Sequence, residues 1–266
     1  MATRTTLPKG TLLLDVGGTF IKCSDGRSIP VDSDGSQDVL AATFRQAVWG
    51  GENAPSWLRV AIPGPFRYAD GTFLMKHKFA SVYGMRFANL AGFAPERCRF
   101  VQDVNCMLLG EVTPDSDNTA LIALGTGLGF ALYADGAIQE NELGGPKVII
   151  YNLPYKDGIL EDYVSKRGIV GRYGDPSMSV RAIAERAMQG DAKALQVFEE
   201  TGRMLGEVIA PVLQEYKVTR LLLGGQISRS AALFVPSLKA ALPAIIGVGP
   251  VSDFDNATFN GLKALP

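Results

Sequence analysis

A glycine-rich turn between two apolar, β-type runs occurs twice in this chain of 266 residues. The first copy is LLLDVGGTFIKC at residues 12–23, and the second is LIALGTGLGFALY at residues 121–133. In each copy an apolar run ends at glycines and a second β-rich run follows at once. This pattern is typical of a hairpin, because a helix would need a cap and a 3.6-residue period instead. The sequence therefore predicts two similar halves, each carrying a glycine-turned hairpin.

Turns of this kind expose successive backbone N–H groups, which form a concave site suited to the oxygens of a phosphate group. The residues of the two turns are Gly17, Gly18 and Thr19 in the first copy, and Gly125, Thr126 and Gly127 in the second. The threonines add hydroxyl groups at equivalent places. Two such turns are suited to holding one polyphosphate between them.

Asp15 ends the first predicted strand, immediately before the first turn. A carboxylate beside a phosphate site repels the ligand unless a cation lies between them, and Mg²⁺ is the natural mediator. We therefore expect Asp15 to bind Mg²⁺ through water. Lys22 offers a positive charge to the same site, although the strand period alone does not decide which face of the strand it occupies.

A third glycine turn, LLLGGQIS at residues 221–228, follows another apolar run. Gly224 and Gly225 allow the backbone to pass close to a flat group such as a nucleobase, and a helix capped by Ser228 or Ser230 is expected next. The chain has no G-x-x-x-x-G-K-[ST] segment, so it is not a P-loop protein. GTGLG is not a dinucleotide fingerprint either, because a strand rather than a helix follows it.

Composition favours a two-domain enzyme. A length of 266 residues with 47% apolar content can fill two cores. The net charge of −1 gives no basic field for nucleic acid. We expect no membrane span and, since the first residues have no apolar signal core, a cytoplasmic location. The cysteines, Cys23, Cys98 and Cys106, are too scattered for a disulfide framework or a zinc site, and buried thiols are expected.

Hydrophobic periodicity predicts the main elements. The predicted helices cover about residues 36–49, 104–111, 160–170, 177–188 and 192–216, and a strand covers residues 58–62. A polar loop at residues 113–118 is the best boundary between halves. We therefore expect domains at residues 1–116 and 117–266, with the option that the last helix packs back on the first half.

Seven segments, taken in order, resemble the ROK family of bacterial sugar kinases and repressors, within the sugar-kinase, actin and Hsp70 superfamily. They are LLLDVGGTFIK, VAIPGPF, VQDVNCMLLGE, ALGTGLGFAL, NELGG, LEDYVSKRGI and LLLGGQIS. The resemblance implies an α/β fold of two ribonuclease-H-like, actin-like ATPase domains facing an interdomain cleft. It also implies that the three glycine turns are the phosphate-1, phosphate-2 and adenosine loops, and hence ATP as a cofactor together with Mg²⁺.

Asp103 stands between an apolar run and a predicted helix, at a strand end where open α/β sheets bind ligands. Phosphoryl transfer to a hydroxyl needs a carboxylate to accept the proton. By resemblance to ROK kinases, Asp103 is the catalytic base. The alternative is that Asp103 only caps the helix, a common role for Asp.

The resemblance also implies the substrate-binding residues Gly64, Gln102, Asp103, Glu142 and Glu161. Carboxylates and amides suit a sugar because they form several directed hydrogen bonds. Gln102 replaces the Asn that usually precedes the base. For Glu161 the alternative is a carboxylate in the first turn of a helix, where the helix dipole favours it.

Two departures from the family bear on function. Gly145 stands where the family motif has a histidine, and YNLPYKDG at residues 151–158 replaces the Cys-rich zinc segment. Zinc is therefore not expected, and the substrate could be a non-hexose or a modified sugar. The single histidine, His77, lies between Lys76 and Lys78 and is read as a surface residue.

The function expected from these observations is ATP-dependent phosphorylation of a hexose or related small-molecule sugar, as in a glucokinase, and a homodimer is the expected assembly. Two alternatives stay open. One is a sugar sensor, although Asp15 arrives too early to leave room for a helix-turn-helix before it. The other is a binding protein without kinase activity, or a kinase of a non-sugar substrate, which Gly145 favours.

Overall fold

The structure is a computed structural model that describes residues 6–265. Its strands are β1 Thr11–Val16, β2 Phe20–Cys23, β3 Ser28–Pro30, β4 Trp57–Ile62, β5 Phe66–Arg67, β6 Thr72–Phe73, β7 Cys98–Gln102, β8 Thr119–Leu124, β9 Leu128–Ala134, β10 Ala137–Ile138, β11 Pro154–Tyr155, β12 Gly158–Ile159, β13 Arg220–Gly224 and β14 Gly247–Pro250. Its α-helices are α1 Gln37–Trp49, α2 Phe87–Ala91, α3 Asp103–Leu109, α4 Leu160–Val164, α5 Lys166–Tyr173, α6 Val180–Met188, α7 Ala192–Glu215, α8 Val235–Ala240 and α9 Ala257–Ala264. Short 3₁₀ helices cover Ala80–Val82, Pro95–Arg97 and Ile227–Leu233.

The described chain forms two compact units. Unit 1 contains residues 6–111, 140–147 and 255–265, and unit 2 contains residues 112–139 and 148–254. The chain therefore returns to unit 1 twice after it first enters unit 2. The second return brings α9 back to the unit in which the chain begins.

The two units contain sheets of the same topology. The strand order is β3-β2-β1-β4-β7 in unit 1 and β10-β9-β8-β13-β14 in unit 2. In each sheet the first two strands form an antiparallel hairpin, and the two strands on the other side run parallel to the first strand. The repeated hairpins that the sequence predicts are confirmed, and the repeat extends to the whole sheet.

The unit 1 sheet has an apolar core on each face. Because successive strand residues point to opposite faces, β1 serves both cores. Leu12, Leu14 and Val16 join the larger core, which also holds a group of phenylalanines, and Leu13 joins the smaller core with Leu262 of α9. The larger core receives α1, which lies within the predicted helix over residues 36–49 and whose first turn is capped by the Ser36 side chain.

A buried arginine ties α9 to the unit 1 sheet. Arg59 of β4 is 4% exposed. Its Nη1 donates to the carbonyl oxygens of Leu262 at 2.9 Å and Leu265 at 2.7 Å. These carbonyls belong to the last turn of α9, where helices leave acceptors without partners inside the helix. The guanidinium group therefore satisfies the end of α9 from within the sheet.

The unit 2 core lies largely against the long helix α7. Phe198, Leu205, Ile209 and Leu213 of α7 are all fully buried in one cluster, as the helical spacing of apolar residues predicts. The predicted helix over residues 160–170 is instead two helices, α4 and α5, which meet at the buried, extended residue Ser165. No helix in residues 6–265 is long and apolar enough to span a membrane.

Candidate active site

Asp15 lies near the end of β1, on the strand side that Leu13 occupies two residues earlier. Its carboxylate forms a side-chain hydrogen bond with Thr258, beside the start of α9. Desolvation, followed by the charge of Asp103, raises the pKa of Asp15 from 3.8 to about 6. Asp15 and Asp103 are therefore close enough to repel one another, in a place where water screens them poorly.

Lys22 occupies the same face of the sheet as Asp15. The two residues are direct cross-strand partners in the β1–β2 hairpin, and side chains at paired positions lie on one face. The charge of Lys22 lowers the pKa of Asp15, opposing the effect of desolvation. The structure thus decides the side of the strand that the sequence period left open.

The first glycine turn is closed by its own backbone. The Gly17 N–H donates to the Phe20 carbonyl oxygen at 2.9 Å, and the Thr19 carbonyl oxygen accepts from the Val31 N–H at 2.9 Å. Gly18 packs against a lysine side chain. A Cβ on Gly18 would lie 3.4 Å from Nζ of Lys78. The turn therefore has a positive charge beside it, and that charge comes from a residue distant in the sequence.

Asp103 is the first residue of α3, at the carboxyl end of β7. The N-cap is Gln102, whose Oε1 accepts from the Asn105 N–H at 2.8 Å. The alternative that Asp103 itself caps the helix is therefore wrong. In the described chain, the hydrogen bonds to the Asp103 carboxylate fall on Oδ1, from the Val104 N–H at 2.9 Å and from Nε2 of Gln102.

Opposing effects set the protonation of Asp103. Desolvation raises its pKa above the ordinary value for an aspartate, while the hydrogen bond from Val104 and the charge of Lys78 lower it. A carboxylate with a raised pKa is a stronger base than a solvated one. The lysine at the glycine turn is thus also close to Asp103.

Gly64 follows β4 and lies against Tyr68. A Cβ on Gly64 would be 3.3 Å from the Tyr68 hydroxyl oxygen. That hydroxyl donates to the Ile62 carbonyl oxygen at 3.0 Å, and burial raises the pKa of Tyr68 well above its usual range. Tyr68 is therefore a neutral group that fixes the segment around Gly64.

The NELGG segment, residues 141–145, is held by the same tyrosine. The Tyr68 N–H donates to the Leu143 carbonyl oxygen at 2.9 Å. Gly144 has φ of +85°, and a Cβ there would lie 3.0 Å from Cβ of Tyr68, so this position requires glycine. Glu142 is exposed. Gly145, which replaces the family histidine, is buried, and its N–H donates to Oδ1 of Asn141 at 3.1 Å.

The second glycine turn, in unit 2, is braced by Glu161. Oε2 of Glu161 accepts from the Leu128 N–H at 2.7 Å, and a Cβ on Gly127 would lie 2.7 Å from that oxygen. Oε1 of Glu161 accepts from Nη2 of Arg167 at 3.1 Å. Both carboxylate oxygens of Glu161, which is predicted to bind the sugar, thus have partners inside unit 2. The exposed Thr126 lies at the tip of the turn.

The third turn follows β13, where Gly225 has φ of +79°. The expected helix capped by Ser228 or Ser230 is wrong. A 3₁₀ helix over Ile227–Leu233 follows the turn, its N-cap is Gln226, and Ser230 breaks its regular geometry. The Ser228 hydroxyl donates back to the Gly224 carbonyl oxygen at 2.6 Å. It fastens the glycine turn rather than the helix.

Sequence reasoning missed three residues of unit 1 that lie beside the predicted site. Lys78 was read only as a neighbour of His77, and no signal linked Thr258 or Asn105 to the site. Asn105 is 1% exposed. Desolvation raises the pKa of Glu140, and a side-chain hydrogen bond with Asn105 opposes that rise.

The residues around Asp15 fit a divalent cation in one respect. Desolvation and, next, repulsion by Asp103 raise the pKa of Asp15, and a cation would relieve that repulsion. Across residues 6–265, no group of three or more His, Cys, Asp and Glu side chains is arranged to hold a metal ion. A cation here would therefore need water or phosphate oxygens as further ligands, which is typical of Mg²⁺.

A family model and known structures resemble this chain. The model of the ROK family matches residues 154–253. No curated protein matches the sequence. A putative sugar kinase from Cytophaga hutchinsonii is 21% identical, with a TM-score of 0.79, over 95% of this chain and 98% of that one.

Two further solved structures are similar in fold. A ROK family glucokinase from Streptomyces griseus, solved with glucose and AMPPNP, is 20% identical with a TM-score of 0.71, over 95% of this chain and 97% of that one. A ROK family transcriptional regulator, a homolog of the E. coli MLC protein, is 20% identical with a TM-score of 0.78, over 96% of this chain and 78% of that one. The predicted resemblance to the ROK family is therefore confirmed by the family model over residues 154–253, and the chain has the actin-like ATPase fold of ROK sugar kinases.

Proposed function

We propose that this protein is an ATP-dependent carbohydrate kinase, which transfers the γ-phosphoryl group of ATP to a hydroxyl group of a hexose or related sugar. The observation that carries the proposal is the setting of Asp103. It is a carboxylate with a raised pKa, fixed through one oxygen at the carboxyl end of β7, and close to the Asp15 that precedes the first glycine turn.

In this reaction Asp103 accepts the proton of the sugar hydroxyl as that oxygen attacks the γ-phosphorus. Oδ1 is held by the Val104 N–H and the Gln102 amide, so we assign the proton to Oδ2. The remaining work is positioning and charge neutralisation, which dominate phosphoryl transfer. The side-chain amide of Gln102 then orients Asp103, and we propose that the same amide also contacts the sugar.

The three glycine turns are proposed to bind ATP. The residues assigned to nucleotide are Asp15, Gly17, Gly18, Thr19, Lys22, Gly125, Thr126, Gly127, Gly224 and Gly225. Asp15 would hold Mg²⁺, which when bound neutralises phosphate charge. The structure of the Streptomyces griseus glucokinase with AMPPNP supports the choice of an adenine nucleotide. Lys22 remains assigned to the nucleotide phosphates because it lies on the same face of the sheet as Asp15.

In unit 1, the residues proposed to contact the sugar are Gly64, Gln102, Asp103 and Glu142. Glu161 of unit 2 keeps its assignment as a substrate-binding residue on the resemblance alone. The glucose in the Streptomyces griseus complex and the sucrose in a ROK protein from Streptococcus pneumoniae support a small sugar as the ligand. Glu142 is the best placed acidic candidate because its side chain is exposed. A cytoplasmic location and a homodimer remain predictions from the sequence.

A sugar-sensing protein without kinase activity is the second candidate. The similarity to the ROK transcriptional regulator favours it, as does the glycine at position 145. Asp103 and the intact glycine turns favour the kinase, because a sensor needs no base beside a phosphate site.

The proposal is tested by ADP release in a coupled assay over a panel of hexoses, amino sugars and non-sugar alcohols. We expect turnover with at least one sugar, and a loss of about 10²- to 10⁴-fold in kcat for Asp103→Asn with nucleotide affinity nearly unchanged. Asp38→Asn is the matched control, because Asp38 is an exposed carboxylate in the first turn of another helix, α1. Sugar binding without ADP release would favour the sensor.

A further inference from the structure

Lys78 is a positively charged residue of unit 1, and the mechanism proposed above gives it no role. Its Nζ lies 3.4 Å from the place of a Cβ on Gly18, and its Cδ and Cε lie 3.5 Å from the same place. The end of the lysine side chain therefore runs across the glycine turn, within van der Waals contact of the place where a Gly18 side chain would begin. Lys78 is 60 positions from this turn in the sequence, so the contact is a product of the fold.

The backbone around Lys78 is held firmly. The next residue, Phe79, is fully buried with φ of 53°, in the left-handed region that phenylalanine seldom adopts. Its N–H donates to the Ser33 carbonyl oxygen at 2.6 Å, and the 3₁₀ helix Ala80–Val82 follows. Strained backbone of this kind persists only where surrounding packing fixes it. Lys78 thus projects from an anchored position and not from a mobile loop.

Lys78 differs from the lysine two positions earlier. Lys76 is exposed and lies over the Tyr83 ring, with Nζ 5.5 Å from the ring centroid. Lys78 is half-buried, and within residues 6–265 it forms no ion pair with a carboxylate. A half-buried ammonium without an ion pair, beside a glycine turn, is suited to binding an anion.

Asp103 lies within electrostatic range of the same ammonium. One side of Lys78 thus faces the turn proposed to bind the donor phosphate, and its charge also reaches the carboxylate proposed to receive the acceptor's proton. We propose that Lys78 is a catalytic residue, whose Nζ binds the transferred phosphoryl group beside Gly18 and Asp103; this inference rests on the proposed kinase function.

In the step that Lys78 serves, the bond between the γ-phosphorus and the bridging oxygen of ATP breaks, and its electron pair leaves with ADP. A bond forms between the γ-phosphorus and the sugar oxygen, and the hydroxyl proton moves to Asp103. Lys78 keeps its own proton throughout. It donates hydrogen bonds to the non-bridging phosphoryl oxygens, whose charge a fixed cation stabilises better than water does.

The experiment compares Lys78→Met, Lys78→Arg and the control Lys76→Met with the wild type. Thermal unfolding of each variant establishes that it is folded. Steady-state kinetics then give kcat and KM for the best sugar of the panel. Calorimetry gives the affinities for ADP and for AMPPNP, which differ by the γ-phosphoryl group that Lys78 is proposed to bind.

We expect Lys78→Met to lower kcat by about 10²- to 10³-fold, the usual cost of one lost transition-state donor. The same variant should bind AMPPNP more weakly but ADP nearly as well as the wild type. Lys78→Arg should recover part of the rate, because it restores the charge with a different donor geometry. Lys76→Met should behave as the wild type in every measurement.

Two outcomes separate this inference from the proposed function. If the wild type phosphorylates a sugar and Lys78→Met keeps more than about a third of its kcat, Lys78 is not catalytic and the kinase assignment stands. If the wild type phosphorylates nothing on the panel, the kinase assignment fails. Weaker AMPPNP binding by Lys78→Met would then still support a γ-phosphate site at Lys78, and equal binding would overturn that as well.

Discussion

Gly225 approaches the Leu124 backbone so closely that a Cβ on Gly225 would lie 2.3 Å from the Leu124 carbonyl oxygen. Leu124 ends β8, and Gly225 directly follows the neighbouring parallel strand β13. The third glycine turn is therefore packed directly on the strand that leads into the second turn. A side chain at position 225 must push these two turns of unit 2 apart.

Gly225→Ala is expected to lower the free energy of unfolding by about 2 to 4 kcal/mol, because it combines a backbone clash with an unfavourable φ. Gly18→Ala is the matched comparison. A Cβ there makes only ordinary contacts with the flexible end of Lys78, so we expect little change in stability and a loss of nucleotide binding. Urea denaturation and calorimetry measure the two effects, and equal destabilisation by both substitutions would contradict the prediction.

Asp15→Asn is expected to stabilise the protein at pH 7.5 without ligand or divalent cation. The folded-state pKa of Asp15 is about 6, above its ordinary value of 3.8, so the folded state binds the proton more tightly. The free energy of unfolding therefore falls as pH rises from about 3.8 to about 6, and Asn removes that loss, which is at most about 3 kcal/mol.

The stabilisation by Asp15→Asn should disappear near pH 4, where Asp15 of the folded protein is already protonated. Urea denaturation in EDTA at both pH values measures it. The same variant should bind ATP with Mg²⁺ more weakly than the wild type. If Asn destabilised the protein equally at both pH values, desolvation would not be the main cause of the raised pKa.

Arg59→Met is expected to cost about 2 to 4 kcal/mol of stability, because the substitution keeps the volume of the side chain but leaves buried carbonyl groups of α9 without a donor. Limited proteolysis should then cut near α9 more readily. Arg45→Met in α1 is the control, since Arg45 is exposed. An unfolding midpoint like that of the wild type would mean that α9 does not depend on Arg59.

Glu161→Ala is expected to loosen the second glycine turn. The amide of Leu128 loses its charged acceptor and should exchange with solvent about 10- to 100-fold faster. Asp162→Ala is the control, because Asp162 also pairs with Arg167, at 2.6 Å, but is not the acceptor of the Leu128 amide. If exchange is unchanged and only the KM for sugar rises, Glu161 serves the substrate rather than the turn.

The purified protein is expected to carry no stoichiometric zinc, and chelators are not expected to unfold it. The three cysteines are buried, and their thiols donate to separate carbonyl groups, those of Ala47, Ala94 and Thr258. Tetrahedral zinc needs its ligands together. Elemental analysis decides the matter, and one equivalent of zinc would overturn our interpretation of residues 151–158.

The elements that local sequence determines were predictable. Glycines fix the two hairpins because the turns need residues without a Cβ, and Ser36 marks the start of α1 through its own hydrogen bond. The break between α4 and α5 had no local signal. There, a Cβ on Gly168 would lie 2.2 Å from the Tyr163 carbonyl oxygen, so the start of α5 packs closely on the end of α4 only because residue 168 is glycine.

The site was predictable only in part, because some of its residues come together only through the tertiary fold. Asp15, Lys22 and the first turn are neighbours in one hairpin, and their grouping follows from the sequence. Lys78 and Thr258 come from segments that are distant from that hairpin in the sequence. No periodicity or motif connects those segments to the hairpin. The role of Gln102 as the cap was hidden because Asp is the more usual cap and stands next to it.

The return of α9 to unit 1 also sets the order in which the protein can be completed during synthesis. Thr258, the partner of Asp15, and the carbonyls that bind Arg59 are translated only after the whole of unit 2, which ends at residue 254. While the ribosome is making unit 2, the smaller core of unit 1 lacks Leu262 and one face of its sheet is open. The nascent chain thus has the first glycine turn early, but it can bury Asp15 against Thr258 only after unit 2 has been translated.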